Sequence, residues 1–221
     1  MEITYLGHSS FKIKNREGMV IIMDPFAADK VGLPYAKDVA DILTISHDHE
    51  DHNERSMITG PVGRDQTFVI DKEGEYEIGG IEFNAIKTYH DKTEGSERGK
   101  NLILTIRVDD INVCHLGDLG HKLTDSQVER LGSIDVLLIP VGGVYTIDSQ
   151  EAADLIKEIQ PSIVVPMHFK ASGMKGDYDG LATLEQFLEK SKLPLMGEPV
   201  HKIKVDESSL PDDTQILVMN G

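Results

Sequence analysis

The sequence has only one cysteine, Cys114, and no tryptophan among its 221 residues. A single cysteine excludes an internal disulfide framework and a metal cage built from thiolates, and it is typical of proteins in a reducing compartment. No apolar run approaches the length of a membrane span, and the N-terminus lacks the basic and apolar segments of a secretory signal. We therefore expect a cytoplasmic protein that has no membrane partner.

Positive charge is also scarce. Lysine and arginine total 22 residues against 38 aspartates and glutamates, which gives a formal net charge of -16 and a pI near 4.9. A protein that follows a phosphate backbone needs a basic stripe, so a long nucleic acid is not an expected partner. A small-molecule substrate is expected instead, and the sequence leaves open whether the chain forms a homo-oligomer.

The chain shows no linker, low-complexity segment or short repeat, so we predict one domain over residues 1–221. The first half reads as strands joined by hairpin turns, with signals at Gly79–Gly80 and Asp109–Asp110. The second half alternates strands with helices, and capping boxes at Thr124–Gln127 and Asp148–Glu151 mark two helix starts. Two sheets packed face to face with helices outside satisfy both patterns, which predicts an α/β fold.

One stretch concentrates the chemistry of the chain: His47-Asp48-His49-Glu50-Asp51-His52. It directly follows the apolar run over residues 42–45, which reads as a buried strand, so a loop holds three imidazoles and three carboxylates. Without a cation this crowding is costly, because the acids repel one another and the histidines must be desolvated. Imidazole and carboxylate are common ligands of zinc and similar metals, so the stretch predicts a metal site.

Three further residues of ligand type follow other predicted strands: His90, Asp118 and His168. Each one alone is more typical of a structural or surface residue. Loops that leave strands on one rim of a sheet converge in space, so the three together with the first motif indicate one site.

At this point the sequence resembles the metallo-β-lactamase superfamily, whose metal-binding residues occur in this order and at similar separations. Within it, the chain is similar to a branch of small metal-dependent hydrolases that includes ascorbate-6-phosphate lactonase-like proteins. The features that carry the branch resemblance are Gly7-His8-Ser9-Ser10-Phe11, Asp24-Pro25, Gly117-Asp118-Leu119-Gly120-His121, Pro140-Val141-Gly142-Gly143 with Tyr145-Thr146, and Pro166-Met167-His168-Phe169. The resemblance implies a four-layer αβ/βα sandwich with a dinuclear metal site on one edge.

The resemblance also implies which residues bind two divalent ions, with zinc expected first and manganese or iron as alternatives. The implied ligands are His47, His49 and His90 for the first ion, Asp51, His52 and His168 for the second, and Asp118 as the bridge. A hydroxide bridging the two ions would attack a small ester, lactone or phosphodiester. Asp51 and Asp118 are therefore counted as catalytic residues as well as ligands.

Three neighbours have two interpretations each, and a fourth has one. His121 is either a general acid or base for the reaction or a structural histidine near a helix start. Asp24 either fixes a ligating imidazole or caps a turn, and His8 either borders the substrate or is structural. Lys170 is a candidate for binding substrate.

Lactonase-like relatives are expected to bind a sugar phosphate, which requires cations around the site. The candidates Lys170, Lys175 and Arg98 form no recognisable phosphate motif, which counts against a phosphorylated substrate. Two other functions remain as alternatives: a nuclease or cyclic-nucleotide phosphodiesterase on the same site, and a metal-binding protein without catalysis.

Overall fold

A computed structural model of the chain describes residues 1–63 and 66–221. In chain order, the strands are β1 (Glu2–Gly7), β2 (Ser10–Lys14), β3 (Val20–Met23), β4 (Asp38–Val39), β5 (Ile42–Thr44), β6 (Ile58–Thr59), β7 (Phe68–Ile70), β8 (Gly74–Ile78), β9 (Ile81–Tyr89), β10 (Lys100–Val108), β11 (Ile111–His115), β12 (Val136–Pro140), β13 (Ile163–Met167), β14 (Lys202–Lys204) and β15 (Gln215–Ile216). The α-helices are α1 (Ala28–Val31), α2 (Asp125–Leu131), α3 (Ser149–Ile159) and α4 (Leu184–Ser191). Short 3₁₀ turns lie at Arg55–Met57, Gly176–Tyr178 and Glu207–Ser209.

The strands form two large sheets and a short ribbon. The first sheet has the order β14-β1-β2-β3-β5-β7, the second has the order β15-β13-β12-β11-β10-β9-β8, and β4 pairs with β6. In each large sheet, antiparallel hairpins give way to parallel pairing: β3, β5 and β7 are parallel, and so are β11, β12, β13 and β15.

This pairing decides where the strand ends lie. Because β1 and β3 are both antiparallel to β2, their carboxyl ends lie on the same edge as that of β5. In the second sheet, β9 and β11 are both antiparallel to β10, so β9 ends on the same edge as β11 and β13. The loops that follow these six strands therefore lie along one rim of the molecule.

The main core lies between the two sheets. Side chains on alternate positions of each sheet fill it, among them Phe11 and Ile13 from β2 and Ile106 and Leu138 from the second sheet, all buried. This alternation is what half-buried strands require, because successive side chains point to opposite faces.

The outer face of the second sheet carries a separate apolar core under the helices. Leu131 of α2, Leu155 of α3 and Phe187 of α4 pack there against Leu137 and Val164 of the sheet. The sequence predicts this layer, since the apolar residues of α3 recur at helical spacing.

The outer layer of the first sheet is thinner. Ile22 and Leu43 on that face pack against Ile58 of the β4–β6 ribbon. The only α-helix among the described residues before β7 is α1, whose Val31 packs against Tyr178 in a cluster beside the predicted site. The result is the two-sheet sandwich with outer layers that the sequence predicts.

Most predicted turns and caps have the expected geometry. Gly79 and Gly80 join β8 to β9 with positive φ angles, and Asp109 and Asp110 join β10 to β11 at φ 52° and 67°, as a hairpin turn requires. Both predicted capping boxes are present, at the starts of α2 and α3.

The last helix, α4, begins at Leu184, where Thr183 and Gln186 form a third helix-capping box. In the described part of the chain, no helix combines the length and hydropathy that a membrane span requires.

Candidate active site

The polar residues after the strands meet at the shared rim. His8 follows β1, Asp24 follows β3, and the 47–52 stretch follows β5. His90, Asp118 and His168 follow β9, β11 and β13 from the facing sheet. The convergence that the sequence predicts is therefore a consequence of the sheet order.

Three of these residues hold their backbone in the left-handed region, which side chains other than glycine rarely adopt. The φ angles are 54° at His8, 44° at Asp24 and 50° at His168. Hydrogen bonds hold this geometry, since the His8 carbonyl accepts from the Tyr5 hydroxyl at 2.8 Å and from the His168 amide at 3.0 Å. Strained backbone of this kind is concentrated at functional sites.

The first group of potential ligands contains His47, His49 and His90. One ring nitrogen of each lies within 4.8 Å of those of the other two. His47 and His90 are buried and His49 is partly exposed, so this group faces the solvent on one side. These are the three residues that the resemblance implies for the first ion.

The second group contains Asp51, His52, His168 and also His8, with one donor atom from each within 4.8 Å of the others. His8 Nε2 lies 3.3 Å from Asp51 Oδ2, and the same oxygen accepts a hydrogen bond from the Tyr178 hydroxyl at 3.0 Å. The structure therefore adds two residues to the predicted surroundings of Asp51. His8 was an uncertain candidate in the sequence, and Tyr178 gave no signal.

Asp118 lies between the two groups. Its Oδ2 is 3.2 Å from His90 Nε2 and 3.1 Å from His168 Nε2, and its Oδ1 is 3.2 Å from His52 Nε2. This is the position that a bridging carboxylate requires.

Buried Asn101 fixes the backbone of Asp118. The Asn101 side-chain oxygen accepts from the Asp118 amide at 2.9 Å, and its NH₂ group donates to Thr88 Oγ1 and to the Leu116 carbonyl. Gly117 permits this approach, since it has φ 55° and a Cβ there would overlap the Asn101 side chain. Sequence reasoning missed Asn101, which stands inside a strand with no pattern to distinguish it.

Asp24 positions two of the histidines, one directly and one through Ser46, by hydrogen bonds. Its Oδ2 accepts from His52 Nδ1 at 2.8 Å and from the Ser46 hydroxyl at 2.5 Å, and its Oδ1 accepts from the Ser46 amide at 2.8 Å. The Ser46 oxygen is in turn 2.9 Å from His47 Nδ1. One buried carboxylate thus orients an imidazole from each group, which is the interpretation that the sequence left open against turn capping.

The electrostatics of the cluster are those of a site that needs a cation. Burial opposes charge on His52, but the carboxylates of Asp118 and Asp51 outweigh it and raise the pKa of His52 well above its usual value. Burial would likewise raise the pKa of Asp118, yet the imidazoles of His168 and His52 hold it well below its usual value. Burial lowers the pKa of His8 to about 4. Neutral imidazole is the form that binds metal, so an ion beside Asp118 and Asp51 would take the place of the proton that these carboxylates stabilise on His52.

Unpartnered buried atoms test whether the cluster fits a metal. Among the described residues, the buried side-chain atoms that make no contact with hydrogen-bond geometry include His47 Nε2, His52 Nε2, His168 Nε2 and Asp118 Oδ1, although His52 and His168 lie close to Asp118. Buried polar atoms nearly always have a partner, so four in one place indicate a ligand that accepts their lone pairs. Nitrogen and carboxylate donors without thiolate suit zinc, manganese and iron. The residues therefore fit a metal centre.

Two residues proposed for the site lie outside the cluster. His121 Nδ1 interacts with the Lys122 carbonyl at 2.8 Å and its Nε2 accepts from the Tyr89 amide at 3.3 Å. Because the backbone occupies both nitrogens, the structural interpretation of His121 replaces the catalytic one. The Lys170 ammonium lies 2.6 Å from Asp179, so its charge is paired rather than directed at the cluster.

Comparisons with known proteins agree with this geometry. A family model for the β-lactamase superfamily domain matches residues 2–168. The chain is 28% identical over 229 residues to a UPF0173 metal-dependent hydrolase from Methanosphaera stadtmanae, a match that covers 89% of this chain and 97% of the relative.

Solved structures lead to the same family. A candidate zinc-dependent hydrolase of the metallo-β-lactamase superfamily from Thermotoga maritima is 33% identical, with a TM-score of 0.76 over 99% of this chain and 97% of that one. Igni18, a metallo hydrolase from Ignicoccus hospitalis, is 21% identical with a TM-score of 0.68 over 99% of this chain and 94% of that one, which shows the fold alone. These relatives do not single out the lactonase-like branch, which stays a prediction. The chain belongs to the metallo-β-lactamase superfamily and is one of its metal-dependent hydrolases.

Proposed function

We propose that this hydrolase uses two divalent metal ions to cleave a small ester, lactone or phosphodiester. The observation that carries the proposal is the set of buried ring nitrogens and the carboxylate oxygen that converge without hydrogen-bond partners. The residues that would hold the first ion are His47, His49 and His90, those for the second are Asp51, His52 and His168, and Asp118 would contact both. Zinc is the metal we expect first, because the donors suit it and the similar Thermotoga maritima protein is described as zinc-dependent.

When bound, a pair of such ions would supply a hydroxide nucleophile near neutral pH and would stabilise the negative charge that develops on the substrate. The side chains of this chain have supporting tasks. Asp24 keeps a proton on His52 Nδ1, which leaves the Nε2 lone pair free on the side of Asp118. A second carboxylate or carbonyl behind a ligating histidine commonly fixes its tautomer in this way.

His8 and Tyr178 have a related task at Asp51. Both contact Asp51 Oδ2, at 3.3 Å and 3.0 Å, so together they fix the orientation of this carboxylate beside His52, whose Nε2 lies 3.9 Å from the same oxygen. Burial raises the pKa of the Tyr178 hydroxyl far above neutrality, and the adjacent Asp51 carboxylate adds to this shift. The hydroxyl therefore keeps its proton and acts as a donor throughout the working pH range.

Elemental analysis tests the proposal most directly. Untagged protein purified without chelator should contain about two metal ions per chain. Asp118→Asn and His52→Ala should lose metal and hydrolysis together, whereas Asp154→Asn, an exposed carboxylate on α3, should keep both. Activity is measured on chromogenic esters, lactones and phosphodiesters.

Two results would contradict the proposal. Protein that contains no metal and cannot be reloaded with zinc, manganese or iron has no such centre. Protein that holds about two ions but hydrolyses none of the three substrate classes is a metal-binding protein without this catalysis.

A further inference from the structure

A cleft opens beside the first group of ligands, next to His47 and His49, with a volume of about 640 Å³. One wall is the 71–73 segment that follows β7 of the first sheet. The other wall is formed by Lys87 of β9, by the 98–100 segment and by Leu102 of β10. A volume of this size suits a small molecule rather than a polymer.

Four residues with cationic side chains line this cleft, although the chain as a whole carries a net charge of -16. We call the space between them the basic cleft, and they are Lys72, Lys87, Arg98 and Lys100. Within residues 1–63 and 66–221, none of the four forms an ion pair with a carboxylate, and Lys87 and Arg98 instead lie over the aromatic rings of Tyr89 and Tyr145. No carboxylate partner therefore has to be displaced before these cations bind an anion.

Three carboxylates also line the cleft, and two of them already have partners. Asp71 accepts from the Arg55 guanidinium at 2.9 Å, and Asp48 accepts from the Asn53 side chain. Glu73 is exposed. Asn53 is neutral, so Asp48 keeps its charge, but Asp71 is neutralised by Arg55. The four cations therefore outnumber the two remaining carboxylates, Asp48 and Glu73, in a chain whose net charge is -16.

Arg98 is held in place by its own loop. Asp91, directly after His90, accepts hydrogen bonds from the backbone amides of Thr93, Gly95, Glu97 and Arg98. The Arg98 guanidinium lies over the Tyr145 ring, 4.4 Å from its centroid. Because both the backbone and the side chain of Arg98 are held by these contacts, the residue loses little conformational entropy when it binds an oxyanion.

We propose that the basic cleft binds a phosphate group that the substrate carries away from the bond cleaved at the metal centre. This inference rests on the proposed function, because it takes the cluster beside His47 and His49 as the place of cleavage. It revises the argument from sequence, in which the lack of a phosphate motif around Arg98 counted against a phosphorylated substrate. The three lysines come from two strands and a loop, so no motif could contain them.

Phosphate is favoured over the other oxyanions by the number of cations. A phosphate monoester carries nearly two negative charges at neutral pH, and the planar guanidinium matches its oxygens with two parallel hydrogen bonds. A carboxylate needs fewer cations. A long nucleic acid would meet the acidic surface outside the cleft and be repelled.

The first experiment titrates inorganic phosphate into the metal-loaded, full-length protein by calorimetry. Arg98→Gln with Lys100→Gln should weaken phosphate binding about tenfold or more, which is at least one 1.4 kcal/mol step in affinity. The matched control, Lys190→Gln with Lys202→Gln, removes the same charge from α4 and from the edge strand β14 and should change binding by less than about twofold. Equal binding by all three proteins would overturn the proposal, since any phosphate bound would then lie on the metal ions.

The second experiment compares two chromogenic esters that differ only by a phosphate on the acyl chain. Wild type should prefer the phosphorylated ester in kcat/KM, and the Arg98/Lys100 double variant should lose that preference while it still cleaves the neutral ester. Cleavage of both esters at equal rates by wild type would overturn the basic cleft as a phosphate site and leave the hydrolase proposal intact. Wild-type protein that holds no metal and cleaves neither ester would instead count against the proposed function. The phosphate titration, repeated on that metal-free protein and its variants, would still decide whether phosphate binds the cleft.

Discussion

Replacing Asp24 with asparagine tests the support of the metal site without touching a proposed ligand. In wild type, the two carboxylate oxygens accept three hydrogen bonds, from the Ser46 amide, the Ser46 hydroxyl and His52 Nδ1. Asparagine has the same shape, but one of its two terminal groups is a donor. Either the Ser46 amide or His52 Nδ1 must then face an N–H group.

The effect on metal binding follows from the tautomer of His52. If His52 Nδ1 faces the asparagine NH₂ group, the neutral ring is driven to carry its proton on Nε2, the atom 3.2 Å from Asp118 Oδ1. A protonated Nε2 cannot bind metal. Loss of such supporting hydrogen bonds typically weakens metal binding by about 10- to 100-fold, which corresponds to roughly 1.4–2.7 kcal/mol.

The assay is a competition for zinc against a chromophoric chelator, with thermal unfolding measured on the same samples. Asp154→Asn is the matched control, because it removes one exposed carboxylate on α3 that pairs with Lys157. We expect Asp24→Asn to bind zinc at least tenfold more weakly and the control to match wild type. Wild-type zinc affinity in a folded Asp24→Asn protein would refute the argument that this carboxylate sets the His52 tautomer.

Three further predictions concern other parts of the chain. Burial lowers the pKa of His115, so below its unfolded value near 6.5 the unfolded chain binds more protons than the folded one, and stability falls as pH drops. In urea unfolding between about pH 7.5 and 5.5, His115→Gln should therefore flatten the pH dependence of the midpoint. An unchanged pH dependence would show that the buried His115 does not cause it. Asp148→Ala removes the N-cap of α3 and should lower the unfolding free energy by about 1 kcal/mol, measured by urea unfolding, whereas the neighbouring exposed Gln150→Ala should have little effect. Tyr178→Phe removes the hydroxyl that donates to Asp51, and it should weaken the binding of one of the two zinc ions by roughly tenfold in the chelator competition. A variant that binds both ions as tightly as wild type would show that the hydroxyl does not position Asp51.

The sequence predicts the fold well because local signals and global packing agree. The hairpin turn at Asp109–Asp110 and the capping boxes at Thr124 and Asp148 are short-range features, and the structure forms each of them. The buried strands read clearly because both of their faces are covered, as for β12 and β13. The predicted ligands group as expected because each directly follows a strand whose direction the pairing fixes.

The surroundings of the ligands could not be predicted, because they depend on contacts between distant segments. Asn101 supports Asp118 from across a strand, and Tyr178 reaches Asp51 over a sequence separation of 127 residues. His8 joins the second group because its backbone adopts φ 54° after Gly7, a geometry that no local pattern specifies for histidine. His121 shows the opposite error, since a histidine near the ligands in sequence has both nitrogens bound by the backbone.

The arrangement around the two groups implies the side from which substrate arrives. On the side of the second group, His8, His168 and Tyr178 are all buried, and the Tyr178 hydroxyl donates to Asp51, so these side chains separate the centre from solvent. On the side of the first group, His49 is partly exposed and the basic cleft begins.

Because an acidic protein repels anions over most of its surface, a positive entrance there raises the local concentration of an anionic substrate. We therefore expect the rate of association, and with it kcat/KM for the phosphorylated ester, to fall as salt is raised, whereas the neutral ester should show little salt dependence. Equal salt dependence for the two esters would place the entrance elsewhere.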